Sequence, residues 1–264
     1  MTPYPQLPGE LNLLIQNYRF VKDTIGMSPA GVYKLLGDGG NLYLKVSTSE
    51  FHGTTYDVQR EKDVLLWLEG KLPVPQVLAY TEDERGHYLL TREAWGVLAC
   101  EDDQNQRDPQ RMVRLYSEGI RRLQAVSLQG CPFDNSIENR LRELEYLLQH
   151  GLADVERDNW EPETPFAGPQ DLYAHLQKNK PPEELVFSHG DFGDSNFFVR
   201  DGHISAWIDL GRGGRAGRWQ DIALCVRSIR QDLGAGYLDL FFDLLEMEPD
   251  WDKIGYYILL DEMF

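Results

Sequence analysis

Two short polar segments in the second half of the chain carry side chains suited to phosphoryl transfer. Residues 188–196 place Asp191 and Asn196 five positions apart, in a turn too rich in glycine and polar residues to form a helix. Asp209 ends an apolar strand thirteen residues after Asn196, across a hairpin indicated by Asp201-Gly202. Phosphoryl transfer needs a carboxylate beside the attacking hydroxyl and oxygen ligands that hold Mg²⁺ against the phosphates. We therefore predict Asp191 as the catalytic base, with Asn196 and Asp209 as Mg²⁺ ligands.

The first third of the chain offers residues that could hold ATP. Lys45 lies near the end of an alternating strand, and Glu61 lies on the amphipathic helix that follows it. The lysine can neutralise the α- and β-phosphates, and the glutamate can hold the lysine in place. The loop at residues 26–31 has only two glycines and indicates a phosphate cradle weakly, although Ser28 could donate a hydrogen bond to a phosphate. No G-x-x-x-x-G-K-[ST] segment is present, which excludes P-loop chemistry.

The spacing of apolar residues predicts an α+β protein with two lobes that must position these side chains. Residues 1–95 are predicted to form a nucleotide-binding lobe, with strands at 18–24, 31–36, 41–46, 76–80 and 87–91 and one helix at 55–69. Residues 96–264 are predicted to form a larger lobe, with short strands within 185–209 and helices at 111–128, 137–150, 170–178, 219–230, 236–245 and 251–262. We expect the lobes to join near residues 92–96 and a ligand to bind between them.

The charge of the chain argues against one class of partner. The net charge is −17, whereas proteins that bind nucleic acid need lysine and arginine for the phosphate backbone. The acid is unevenly placed: residues 1–95 hold 9 basic and 12 acidic side chains, and the remainder holds 17 basic and 31 acidic ones. The second lobe is therefore either a cation-attracting surface or a merely solubilising one.

Composition and patterning also predict the compartment. The chain has no apolar run of ~18 residues and no basic segment at its start, so we expect neither membrane insertion nor a secretory signal. Cys100, Cys131 and Cys225 lack metal-ligand spacing and are expected to be buried thiols in a reducing cytoplasm. His189 likewise lacks ligand spacing, and we expect it to support the turn that carries Asp191.

Several segments resemble the aminoglycoside 3′-phosphotransferases. The resemblance is closest at residues 189–199 and 207–230, continues in the ending at residues 256–264, and extends from about residue 25 to the last residue. It implies a protein-kinase-like fold, ATP and Mg²⁺ as cofactors, and phosphorylation of the 3′-hydroxyl of antibiotics such as kanamycin and neomycin. No obligate protein partner is implied.

The resemblance also implies roles for individual residues. It implies the same roles as above for Asp191 as the base and for Asn196 and Asp209 as Mg²⁺ ligands. It also implies that Lys45, together with Glu61, orders the phosphates. Contacts with the nucleotide are implied for Ser28, Tyr43, Thr91 and Ala94, with the Tyr43 ring stacked on adenine. Contacts with the substrate are implied for Asp158, Arg212, Arg227, Asp232, Asp261, Glu262 and the carboxylate of Phe264. An acidic second lobe agrees with this, because aminoglycosides are polycations.

Two positions depart from the pattern of the family. Thr91 stands where we expect a bulky apolar residue, which could alter the adenine pocket, and Gln231 stands where we expect an acid. These departures leave the preference among antibiotics open.

Three other readings stay open from the residues themselves. A kinase of choline, a sugar or a homoserine-like metabolite would use the same fold. A protein kinase is disfavoured, because no A-P-E segment follows Asp209 before Trp219. A nucleotide-binding module without catalysis would ordinarily have lost Lys45, Asp191, Asn196 or Asp209, and all four are present.

Overall fold

The computed structural model of the protein describes residues 7–23, 29–153, 160–161 and 164–264. These residues form two compact units. The first unit takes in the described residues up to Val97 together with Phe197–Arg212, and the second takes in the described residues of Leu98–Asn196 and Gly213–Phe264. The first unit is built on an antiparallel sheet and the second is mainly helical, which confirms the predicted α+β class.

The strands of both units are short and antiparallel where their registers are defined. In the described residues they are β1 (Arg19–Lys22), β2 (Gly31–Leu36), β3 (Leu42–Thr48), β4 (Val77–Asp83), β5 (Gly86–Arg92), β6 (Val97–Leu98), β7 (Leu185–Ser188), β8 (Phe197–Arg200), β9 (His203–Trp207) and β10 (Gly214–Gly217). They form sheets of order β1-β2-β3-β5-β4, β6-β8-β9 and β10-β7.

The helices account for most of the second unit. In the described residues they are α1 (Gly9–Ile15), α2 (Val58–Leu68), α3 (Asp103–Arg107), α4 (Pro109–Gln124), α5 (Ile137–His150), α6 (Pro169–Lys178), α7 (Trp219–Ser228), α8 (Leu238–Leu245) and α9 (Trp251–Asp261). None of these helices combines the length and the apolar character that crossing a membrane requires.

The core of the first unit lies against the five-stranded sheet. Leu35, Leu42, Leu44 and Leu90 are buried together with residues of α1, a helix that was not predicted from the sequence. Strand β3 is central in this sheet and alternates buried and half-buried positions, so Leu42 and Leu44 face the core while Lys45 lies on the other face. The sheet therefore fixes Lys45 on a rigid, internally bonded strand.

Helix α2 begins three residues later than predicted. The Asp57 side chain accepts a hydrogen bond of 3.0 Å from the backbone N–H of Gln59, which makes Asp57 the N-cap. A helix begins where such a side chain satisfies its first amides, and this sets the start of α2 at Val58. The shift leaves Glu61 in the first turn of the helix.

The hairpin predicted at Asp201-Gly202 is confirmed. Strands β8 and β9 pair as an antiparallel hairpin, with Arg200 opposite His203. Asp201 and Gly202 both have positive φ, at +53° and +85°. Two consecutive residues with positive φ give a tight turn whose twist matches that of the paired strands. The hairpin brings the chain back so that Asp209 follows β9 within the first unit.

The helices predicted for the second unit are present, but several of their ends differ: α4 spans Pro109–Gln124 where 111–128 was predicted. Helix α3 was not predicted. Helix α5 has its predicted bounds, and Gly151 at its end adopts the left-handed conformation of a C-cap. Helix α7 ends at Ser228, and residues Ile229–Leu233 continue as a π-helix. A π-turn inside a helical segment is uncommon and is often found near functional sites.

Candidate active site

The predicted pairing of Lys45 with a carboxylate is present in the first unit. The Lys45 Nζ donates hydrogen bonds of 2.7 and 2.9 Å to the two carboxylate oxygens of Glu61. It also contacts the Asp209 carboxylate. The side chains of Lys45 and Glu61 are 14% and 10% exposed, so this ion pair lies where charges are screened weakly. The sheet and α2 together therefore hold one ammonium group between two acids.

Asp209 has an unusual backbone conformation. Its φ is +58°, in the left-handed region that a non-glycine residue enters at a cost of roughly 1–2 kcal/mol. Aspartate tolerates this region better than most residues, and such strain concentrates at functional positions. The Asp209 side chain is 44% exposed. Its carboxylate can therefore contact a bound ligand while it also contacts Lys45.

The turn after Asp209 is fastened to the start of α2. The Arg60 Nε donates a hydrogen bond of 2.9 Å to the carbonyl of Gly211. A Cβ atom on Gly211 would lie 2.6 Å from the carbonyl oxygen of Thr55, so only glycine permits this approach. The same helix thus positions Glu61 and the turn that carries Asp209.

In the second unit, Asn196 holds Asp191. The Asn196 Nδ2 donates hydrogen bonds of 2.7 Å to the Asp191 carbonyl and 3.1 Å to its Oδ2. Asn196 is buried and Asp191 is half-buried, at the end of a turn that begins after β7. Both bonds use the amide nitrogen of Asn196 and neither uses its Oδ1. The arrangement orients one carboxylate and offers a neutral oxygen donor beside it.

Asp221 is a supporting residue that the sequence analysis did not identify. Its two carboxylate oxygens accept hydrogen bonds of 2.8 Å from the N–H of His189 and 2.9 Å from the N–H of Gly190. Burial raises the pKa of Asp221, although these amides and His189 favour its charged form. The only sequence signal was an acid among the apolar residues of α7, thirty positions after Asp191.

His189 supports the same turn, as predicted. It is fully buried, and its Nδ1 accepts a hydrogen bond of 3.3 Å from the N–H of Asp191. Gly190 has a φ of +86°, which a side chain would strain. The turn is therefore fixed from both sides, by a ring nitrogen next to Asp191 and by the carboxylate of Asp221.

We expect Asp221→Asn to lower kcat by about 10–100-fold and the free energy of unfolding by about 2–3 kcal/mol. The amide keeps the shape but loses charged hydrogen bonds to two buried N–H groups, and small displacements of a catalytic group are costly. Steady-state kinetics and urea unfolding measure the two effects. Asp239→Asn, an exposed change on α8, is the matched control. An unchanged kcat in Asp221→Asn would contradict the positioning role.

Tyr43, Thr91 and Ala94 are predicted to contact the nucleotide and lie within the described residues. Tyr43 and Thr91 lie opposite each other on β3 and β5, and Thr91 is buried. The Lys34 Nζ lies 5.6 Å from the centroid of the Tyr43 ring, so one cation already contacts this ring. Ala94 follows β5 and is half-buried, whereas Ser28 lies outside the described residues.

The end of the chain is an ion-paired cluster in the second unit. Asp261 accepts a hydrogen bond of 2.8 Å from Arg227 Nη2 and pairs with Arg140 Nη2 at 3.6 Å. The Arg140 guanidinium lies 4.3 Å from the centroid of the Phe264 ring. Asp261 is 8% exposed, so the end of α9 is buried against Arg227 and Arg140. Arg227 and Asp261 are therefore in contact, and Arg140 links them to Phe264; the contact of these residues with a substrate stays a prediction.

Glu262 connects the segment that contains Glu161 and Thr164 to the end of α9. Its carboxylate accepts hydrogen bonds of 3.1 Å from the N–H of Glu161 and 2.8 Å from the hydroxyl of Thr164. Burial raises the pKa of Glu262 in spite of these donors. Glu161 in turn accepts a bond of 3.4 Å from Gln231, the residue found where an acid was expected.

The remaining predicted substrate contacts are dispersed. Arg212 belongs to the first unit, where its Nη2 lies 3.2 Å from the hydroxyl of Tyr56. Asp232 is exposed on the π-helix, and Asp158 lies outside the described residues. Asp194 was not identified from the sequence; burial and the nearby charge of Asp232 raise its pKa. Asp194 and Asp232 are therefore close enough for their charges to interact.

Comparisons with known proteins relate the chain to one group of enzymes. A model of the phosphotransferase enzyme family matches residues 23–257. The chain is 57% identical over 260 residues to an aminoglycoside 3′-phosphotransferase of Enterococcus faecalis, covering 98% of each chain. It is similar to the crystal structure of an aminoglycoside 3′-phosphotransferase of type VIII, with a TM-score of 0.80, 29% identity, and coverage of 96% and 97% of the two chains.

A further solved structure is similar in fold. An aminoglycoside phosphotransferase of Streptomyces rimosus, solved in complex with ADP and streptomycin, has a TM-score of 0.77 and 22% identity, covering 96% of both chains. Together with the type VIII structure it confirms the protein-kinase-like fold that the resemblance implied.

Proposed function

We propose that this chain, which belongs to the phosphotransferase enzyme family and within it to the aminoglycoside 3′-phosphotransferases, transfers the γ-phosphoryl group of ATP to the 3′-hydroxyl of an aminoglycoside. Such a reaction inactivates antibiotics of the kanamycin and neomycin type and would confer resistance to them. The observation that carries the proposal is the bonded pair Asp191–Asn196 in a chain of this family. The family supplies the reaction, and the pair supplies a carboxylate held in place to perform it.

Asp191 is proposed as the general base. It accepts the proton of the 3′-hydroxyl while that oxygen forms a bond to the γ-phosphorus and the bond from phosphorus to the bridging oxygen of ADP breaks. The turn that carries Asp191 is held by Asn196, by the ring of His189 and by the carboxylate of Asp221. These contacts keep the carboxylate of Asp191 in one orientation. Because the base is already oriented, the activation free energy does not include the entropic cost of aligning the base with the hydroxyl.

Lys45 is proposed to bind the α- and β-phosphates. Glu61 holds the ammonium group through two bonds, and the sheet fixes its Cα. Tyr43, Thr91 and Ala94 are proposed to line the adenine pocket, with Ser28 in the loop beside the phosphates. The relative of Streptomyces rimosus solved with ADP supports nucleotide use.

Asn196 and Asp209 are proposed as ligands to Mg²⁺, and their donor atoms fit that ion. An amide oxygen and a half-exposed carboxylate are hard oxygen donors, which Mg²⁺ prefers over nitrogen and sulfur. The bound ion would neutralise charge on the phosphates. The left-handed backbone of Asp209 supports the assignment, because strain is retained where a side chain must point in one direction.

The acids of the second unit are proposed to bind the ammonium groups of the substrate. Asp232 is exposed and is proposed as one such contact, and Asp158 and the carboxylate of Phe264 are proposed as two others. Asp261 and Glu262 are engaged with Arg227 and Thr164, so we propose that they shape this surface together with Arg227. Arg212 of the first unit is proposed as a further substrate contact. An excess of carboxylates discriminates against neutral sugars by charge.

The proposal is tested by measuring ADP release from the purified protein with Mg·ATP, with and without kanamycin. We expect kanamycin to stimulate ADP release strongly, and NMR of the product to place the phosphate on the 3′-oxygen. Asp191→Asn is the matched control, since it should bind ATP without kanamycin-stimulated release. If kanamycin and neomycin both fail to stimulate release while ATP still binds, the aminoglycoside assignment is wrong, and a screen of choline, sugars and homoserine follows.

A further inference from the structure

Three residues from different segments of the first unit converge on one point that the proposed reaction does not use. His52 follows a 3-10 turn, Asp57 caps α2, and His87 lies on β5. The Asp57 Oδ2 lies 3.2 Å from the Nδ1 of His52, and its Oδ1 lies 2.7 Å from the Nδ1 of His87. All three ligand atoms lie within 4.8 Å of one another. We call these residues the His52–Asp57–His87 cluster.

The cluster is built into the fold rather than assembled by chance on the surface. Asp57 and His87 are 3% and 8% exposed. The N–H groups of Gly53 and Gln59 donate to the two oxygens of Asp57, at 3.1 and 3.0 Å, so its carboxylate has one orientation. His87 is fixed by the pairing of β5 with β3, where it lies opposite Ser47. Two of the three candidate ligand side chains, Asp57 and His87, are thus held in fixed orientations.

The third donor supplies a route to solvent. The His52 side chain is 63% exposed, and its ring lies 5.0 Å from the ring of His87 at an angle of 83°. An exposed ring can rotate to admit an ion without any change in the core. On its other side, the Nε2 of His87 lies 4.0 Å from the Glu82 carboxylate. That separation is too long for a hydrogen bond, but rotation of the exposed Glu82 side chain would bring its carboxylate to Nε2, and imidazoles that ligate metals usually have such a partner.

We propose that the His52–Asp57–His87 cluster binds a divalent transition metal, with Zn²⁺ as the best fit. Two imidazole nitrogens and one carboxylate are a donor set that zinc accepts and that Mg²⁺ and Ca²⁺ disfavour. Tetrahedral zinc with bonds of ~2.1 Å separates its ligand atoms by about 3.4 Å. The separations of 2.7 and 3.2 Å from Asp57 reach that value with movements of less than about an ångström. Water would take the fourth position.

The site would fasten α2 to the sheet. Asp57 lies one helical turn before Glu61, the residue that holds Lys45. A metal bridging His52, Asp57 and His87 joins the segment that leads into α2 to strand β5. Because the ion binds the folded chain and the ligands are far apart in an unfolded one, it should raise thermal stability.

Titration of untagged, metal-free protein with Zn²⁺ alone tests the proposal. Calorimetry should give one site per chain, and zinc at about 100 times its dissociation constant should raise Tm by about 5 °C. His52→Ala should weaken zinc binding at least ~10-fold and remove the rise in Tm, while leaving the Tm of the zinc-free protein unchanged. Co²⁺ in place of Zn²⁺ should give visible absorption that the variant lacks.

His203→Ala is the matched control, because His203 is exposed in the same unit and lies outside the cluster. It should bind zinc as the unaltered protein does. Absence of a zinc site in the unaltered protein overturns the proposal, and so does an equal rise in Tm in His52→Ala. A loss in His203→Ala as large as that in His52→Ala assigns the binding to surface histidines and also overturns it. None of these outcomes bears on the proposed kinase activity, because Asp191, Lys45 and Asp209 are unaltered.

Discussion

Asp191→Asn should lower kcat by roughly 10²–10⁴-fold while ATP binds with unchanged affinity. The asparagine is the same size but cannot accept the hydroxyl proton, and a general base is typically worth that factor. Asn196 still donates its 2.7 Å hydrogen bond to the backbone carbonyl at this position, so the turn should survive the change. The expected result is a slow enzyme with a normal Tm. Single-turnover kinetics with kanamycin and a nucleotide-binding titration measure the two quantities.

Two results would contradict the assignment of Asp191 as the base. The first is an unchanged kcat, which would move the base to another group. The second is a loss of ATP binding equal to the loss of turnover, which would make Asp191 a binding residue. Asp243→Asn is the matched control, because it is an exposed aspartate on α8 of the same unit and should change neither quantity.

The parts of the fold that the sequence predicted are those set by local chemistry. The Asp201-Gly202 hairpin and the bounds of α5 follow from residues within a few positions of each other. The pairing of Lys45 with Glu61 was predicted because a strand and the next helix are close in sequence. Short-range patterns therefore carry both the elements and part of the site.

The features that escaped prediction depend on contacts between distant segments. Strand β10 has a sequence of glycines, arginine and alanine with no strand pattern, and it forms because β7 lies beside it. Asp221 acts through two amides about thirty positions away, so nothing in its own surroundings shows that role. The His52–Asp57–His87 cluster likewise needs the pairing of β3 with β5 before His87 approaches Asp57.

The burial of Asp261 is a further feature that could not be predicted from the neighbouring sequence, because it depends on ion pairs with distant residues. Taken alone, an acidic pair at the end of a helix is expected to be solvated. In the structure Asp261 pairs with Arg227 and Arg140, neither of which is adjacent to it in sequence. Only a resemblance to a family placed this carboxylate in the substrate region, because charge pairing over such separations leaves no periodic pattern.

Asp209→Asn should remove the Mg²⁺ dependence of nucleotide binding. The asparagine keeps the size of the side chain and tolerates the φ of +58°, so the turn should stay folded. It lacks the negative charge that a divalent cation needs, and the affinity for ATP in the presence of Mg²⁺ should fall about 10²-fold or more. Titration of a fluorescent ATP analogue with and without Mg²⁺ measures the effect.

The control for this change is present in the chain itself. Asp201 is also a non-glycine residue with positive φ, at +53°, but it lies exposed at the tip of the β8–β9 hairpin. Asp201→Asn should therefore repeat the backbone consequences of the substitution without its effect on nucleotide binding. Equal losses in both variants would show that strain rather than charge was altered. Unaltered affinity in Asp209→Asn would instead remove Asp209 from the magnesium site and leave its contact with Lys45 as its role.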